Sequence, residues 1–189
     1  VKTRLGFEDK SLFAEIAMGI EAAGATELTV HARTKRDGYR PPAYWDSIAD
    51  VRERVSLPVI ANGEIWSVDD ALRCREVTGC TDLMLGRGVL CRPDLPRLVA
   101  AATANGDTCE PLAWNAITPL LLRFFALTLR DYDPHCAGNP LKQWLVYLRG
   151  YFPQAGPLFE QVKRLHDPEA IVAALRHAQP LDGDKRLAA

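Results

Sequence analysis

Leu57-Pro58-Val59-Ile60-Ala61-Asn62-Gly63-Glu64, followed after two residues by Ser67-Val68-Asp69-Asp70, is the stretch on which the fold turns. A strand is predicted over 58–62, because the run Leu57-Pro58-Val59-Ile60-Ala61 is apolar on both faces, the pattern of a strand buried in a parallel sheet and not the alternation of one face open to water. Gly63 ends it. Ser67 can cap the next segment, and Asp69 and Asp70 fall in its first turn where acidic groups suit the helix dipole, so a helix is predicted over 67–78. Strand, glycine loop and helix make one βα step.

The same step recurs outward in both directions. Upstream lie a strand over 27–31, a charged irregular loop over 32–44 and a helix over 45–55, preceded by a strand over 1–5 and a helix over 11–23. In that first helix Leu12, Phe13, Ile16, Ala17 and Ile20 keep helical spacing before Gly24 closes it. Downstream come a strand over 82–85, then Gly86-Arg87-Gly88, then a helix over about 94–105. Four such units, roughly 30 residues apart, predict an α/β domain with a parallel sheet. Periodicity alone leaves half of an eightfold barrel and half of a doubly wound sheet both open. From Glu110 onward the strand pattern stops, and 112–130, 141–149 and 169–177 read as helices separated by Pro and Gly breaks. The predicted division is an α/β domain over 1–108 and a small all-helical domain over 109–189.

Composition narrows the class. The chain has 189 residues, 48% hydrophobic and 25% charged, with a net charge of −1, a balance that fits a globular core and excludes a disordered or collagen-like chain. The near-zero charge means that any nucleic-acid contact rests on local basic clusters and not on a global positive field. Five cysteines without a Cys-x-x-Cys pair argue against a disulfide framework and a zinc ribbon. No apolar run reaches the roughly 20 residues that span a bilayer, and no signal-peptide pattern opens the chain, so a cytoplasmic protein without membrane partners is expected. Val1-Lys2-Thr3-Arg4-Leu5-Gly6 reads as a strand already in progress, and a truncated beginning is expected.

Two glycine-bearing corners at strand ends carry the candidate chemistry: Asn62-Gly63-Glu64 and Gly86-Arg87-Gly88. Glycine lets a backbone approach a ligand, and the neighbouring arginine can fork onto phosphate oxygens, as in the late loops of barrel enzymes. Tight turns beside a solvated arginine are the plainer reading. Lys2 and His31 occupy the ends of the first two strands, where a lysine can offset negative charge on a ligand ring and a histidine can donate to it.

Taken in order, Lys2-Thr3-Arg4-Leu5-Gly6, Leu28-Thr29-Val30-His31-Ala32-Arg33-Thr34, Pro58-Val59-Ile60-Ala61-Asn62-Gly63-Glu64-Ile65 and Asp82-Leu83-Met84-Leu85-Gly86-Arg87-Gly88 resemble the motifs of the tRNA-dihydrouridine synthases. Lys142-Gln143-Trp144-Leu145-Val146-Tyr147-Leu148-Arg149 resembles the bacterial C subgroup, which extends the likeness over nearly the whole chain. The resemblance implies the C-terminal half of a (β/α)8 TIM barrel, four βα units, followed by a helical tRNA-binding domain. It implies FMN as cofactor, NADPH as reductant and tRNA as partner, with a D-loop uridine, uridine 16 in this subgroup, reduced to dihydrouridine.

Carried over by position, Lys2 and His31 would contact the flavin ring, and Asn62, Gly63, Glu64, Gly86 and Arg87 would hold the phosphate region. Arg33, Tyr39, Lys142, Trp144, Arg149 and Lys163 would face tRNA. Lys142 and Arg149 are seven apart and so share a helix face, whereas Trp144, set among Leu141, Leu145 and Leu148, also reads as core. The family's acid cysteine matches none of the five here, so no catalytic residue is expected in this chain and it is expected to be inactive alone. The full-length parent is expected to be a monomer, and a half-barrel with open edges to self-associate. The alternatives are another flavin- or phosphate-binding barrel, such as a dihydroorotate-dehydrogenase-like protein, against which the helical tail speaks, and a non-catalytic RNA-binding fragment.

Overall fold

A computed structural model describes residues 1–104 and 109–178. Four short strands, β1 (Lys2–Arg4), β2 (Leu28–His31), β3 (Val59–Asn62) and β4 (Leu83–Met84), form one sheet in the order of the chain, every neighbouring pair parallel. Apolar side chains of β2 and β3 bury the middle of this sheet: Leu28, Val30 and Ala61 are fully buried, and Val59 is nearly so. Helices α1 (Phe13–Ala22), α2 (Trp45–Arg52) and α3 (Val68–Thr78) follow the first three strands. A short α4 (Arg87–Cys91) and then α5 (Leu95–Ala104) follow the fourth.

Local chemistry sets these boundaries. Ser67 caps α3 by accepting from Asp70 N–H while the Asp70 carboxylate accepts from Ser67 N–H, a reciprocal box that satisfies two otherwise unpaired donors. The same helix ends on Gly79 at φ 65°, a left-handed turn that costs a glycine little. Gly86-Arg87-Gly88, read as a loop from sequence, opens the short α4. The end of the predicted helix at Asn105 lies outside the described residues.

The chain divides into two compact units, Val1–Val89 with Leu95–Cys109, and Leu90–Asp94 with Glu110–Ala189. The first has a core of Leu5, Leu28, Val30, Ile48, Ala61 and Leu95 among others. In the second, α6 (Trp114–Asp131), α7 (Gly138–Leu148), α8 (Ala155–Val162) and α9 (Pro168–Arg176) surround a separate core that includes Trp114, Leu121, Phe125, Leu145 and Leu158. Sequence periodicity missed α8 and started α7 at 141. In both helices a proline, Pro157 and Pro140, sits in the first turn, where its missing N–H leaves no bond unmade, so what reads as a break is a helix start. No helix among the described residues is long and apolar enough to cross a membrane.

Candidate ligand site at the strand ends

Parallel register brings strand ends together. Arg4 pairs with His31, His31 with Asn62 and Asn62 with Met84, so the last residues of all four strands form one row across the sheet. This row and the loops above it line a cavity of about 420 Å³, within the range of small-ligand sites. Lys2, His31, Asn62, Gly63, Glu64, Gly86 and Arg87, all candidates from sequence, line it together with Arg4, Tyr39, Ile65, Trp66, Met84 and others.

Asn62 is the hub of the floor. Its side chain donates to Met84 O at 2.6 Å and accepts from Lys2 Nζ at 3.2 Å, joining three strands. Gly63, at φ 123°, lets His31 lie against the backbone: a Cβ there would come 3.2 Å from His31 Cδ2. Burial, reinforced by the charges of Arg4, Arg33, Lys2 and Arg87, pulls the His31 imidazole down to about 4, so it is neutral at physiological pH. Its buried Nδ1 has no hydrogen-bond partner among the described residues, a group that a ligand can satisfy.

Glu64 takes a left-handed backbone conformation, φ 58°, rare for a residue with a side chain. Its carboxylate is turned back onto Arg33, with which it forms an ion pair, and accepts from Trp66 Nε1 at 2.7 Å. Arg33, which the resemblance sets toward tRNA, is fully buried and also donates to Pro42 O at 3.1 Å. With Glu64 so engaged, Lys2, Arg4 and Arg87 give the cavity a cationic wall. Three cations, an orphaned imidazole and two aromatic rings suit an anionic ligand with a planar group.

Sequence reasoning missed Arg4 and Trp66 here. The signal for Arg4 was present, since residues two apart on a strand share a face and Lys2 was already a candidate. Trp66 gave none, because nothing in its spacing foretells a ring beside Arg87. Of the thiols, burial pushes Cys74 up to about 12 and raises Cys80.

The candidates in the second unit are occupied locally. Lys142 Nζ donates to Leu165 O at 2.7 Å, and Trp144 Nε1 donates to Leu90 O at 3.0 Å while its ring meets Phe124 edge-on. Arg149, exposed just past α7, lies over the Phe159 ring at 5.8 Å, and Lys163 pairs with Glu160. Trp144 is half-buried against the core, as its leucine neighbours allowed.

A family model for dihydrouridine synthase matches residues 1–176. The chain belongs to the dihydrouridine synthase family. Among curated relatives, it is 46% identical over 170 residues to a tRNA-dihydrouridine(16) synthase of Aquipseudomonas alcaligenes, covering 90% of this chain and 54% of that protein. The like-named protein of Shewanella oneidensis is 46% identical over 178 residues, 94% of this chain and 55% of the relative. That of Neisseria meningitidis is 39% identical over 171 residues, 90% and 51%. This dihydrouridine synthase family member thus spans about half the length of the curated relatives it matches.

Proposed function

We propose that this chain is the FMN-holding carboxy-terminal part of an NADPH-dependent tRNA-dihydrouridine synthase acting at uridine 16. Its sheet would be half of a (β/α)8 barrel, and its helices over 109–189 a tRNA-binding domain. The observation that carries this reading is the convergence of seven separately predicted residues, Lys2 through Arg87, on one cationic cavity at the strand ends. The names of the relatives support the position on tRNA.

In this reading FMN, when bound, would supply hydride for reduction of the uracil C5–C6 bond. Lys2 and His31 would contact the ring, where the lysine charge would offset electron density and the neutral imidazole would donate or accept a hydrogen bond without adding charge. Arg87, with the corner at Gly86, would meet the phosphate. Asn62 fixes Lys2 in place, and Glu64 keeps Arg33 from competing as a cation. The proton for the uracil carbon comes from outside these residues, so this chain alone binds and orients without completing the reaction.

The test is titration of the purified chain with FMN, followed by visible absorbance and flavin fluorescence. Saturable binding is expected, and weaker binding after Arg87→Ala. Absence of any flavin binding removes the reading. Incubation with unmodified tRNA, FMN and NADPH is expected to give no dihydrouridine by mass spectrometry, and its appearance would show that the acid lies within this chain.

A further inference from the structure

Arg87 forms no ion pair among the described residues. Two aromatic rings hold it instead: its Cζ lies 4.7 Å from the Tyr39 ring centroid and 5.1 Å from that of Trp66. Attraction to a π face uses none of the five guanidinium N–H donors, so a residue held this way is oriented and still free to bind.

Each ring is itself anchored. Trp66 Nε1 donates to Glu64 Oε1, whose carboxylate is fixed by buried Arg33. Tyr39 rides on a loop fastened from β1, where Arg4 Nη1 donates to Thr34 O and Gly38 O, both at 2.9 Å, and Asp37 accepts from Thr34 N and Oγ1 at 2.8 Å. Arg4 also lies 5.3 Å from the Tyr39 ring, and the His31 ring is 6.0 Å away. Behind Arg87, Gly88 is pressed against the Ile65 carbonyl, which a Cβ would approach to 2.3 Å. An exposed tyrosine and a half-buried tryptophan therefore grip one cation from two separate loops at the mouth of the cavity.

We propose that Tyr39 and Trp66 are positioning residues that hold the Arg87 guanidinium over the cavity, so that its free donors select a ligand bearing a terminal phosphate over the same ligand without one. This rests on the flavin reading above. It assigns Tyr39 to the cofactor mouth, not to tRNA, and gives Trp66 a role that neither spacing nor resemblance suggested.

FMN and riboflavin, which differ by the phosphate, are the probes, and the dissociation constant of each for the full chain is the readout. The unaltered chain is expected to prefer FMN. Tyr39→Leu and Trp66→Leu are each expected to reduce that preference about tenfold by weakening FMN while riboflavin stays the same, and Tyr39→Phe, which keeps the ring, to restore it. Tyr39 is 62% exposed, so its replacement leaves the fold intact. Unchanged preference in the leucine variants, or equal weakening of both flavins, overturns the positioning role and leaves the flavin reading standing. Failure of the unaltered chain to bind either flavin overturns both.

Discussion

Glu64 shows how one residue can serve fold and site together. It takes a strained backbone conformation and, in return, neutralises a guanidinium with no access to water. Removing one partner of such a pair leaves the other charge buried without compensation, which costs about 3 kcal/mol. Glu64→Gln is therefore expected to lower the urea midpoint markedly, and an unchanged midpoint would mean that Arg33 finds another partner. His31 gives a pH signature. Its imidazole is held near 4 in the fold against an ordinary value of 6.5, so the unfolded chain binds the extra proton between those values. Stability is thus fully present above about 6.5 and is lost as pH falls toward 4. His31→Asn is expected to flatten the slope of unfolding free energy against pH in that window. A slope that persists would assign it to carboxylates. At this scale Lys2, His31, Asn62 and Arg87 were legible because strand ends of a parallel sheet converge by topology. Arg33 was not, because burial of a loop arginine depends on a carboxylate 31 positions away that sequence spacing does not link to it.

Among the elements, α3 is the one whose ends are written in the sequence, from the Ser67–Asp70 box to Gly79. Ser67→Ala is expected to cost about 1 kcal/mol, measurable by chemical denaturation. Gly79→Ala forces a side chain into a left-handed turn and places Cβ 3.1 Å from Arg52 Nη1, a similar loss of about 1 kcal/mol. Gly88→Ala is different in kind. The clash it creates is with backbone, so it is expected to displace Arg87 and to weaken FMN binding more than stability, which paired binding and denaturation measurements separate. The helices of the second unit were harder to read: Pro140, Pro157 and Pro168 all sit in first turns, where a proline reads from sequence as a break. Four strands of two to four residues were nevertheless found, β1 from its alternation of apolar and charged residues and the others because a glycine or a charged corner ends an apolar run.

For the molecule as a whole, the outer edges of β1 and β4 have no strand partner among the described residues. Val1, Phe7, Leu12 and Ile16 are also exposed beside β1 and α1. Unpaired edges flanked by apolar side chains favour association, and the isolated chain is expected to elute in size-exclusion chromatography at a size that grows with concentration. A concentration-independent monomer would contradict this. Binding to tRNA, if the helical unit provides it, is expected to weaken steeply with salt, since a chain of net charge −1 has only local cations to offer.

All four strands point the same way, and the left-handed glycines Gly24 and Gly79 precede β2 and β4 at the rim away from the cavity. Changes there alter how long the protein lasts without touching what it recognises. Natural selection can therefore tune durability and ligand choice at opposite rims of a single sheet, each with little interference from the other.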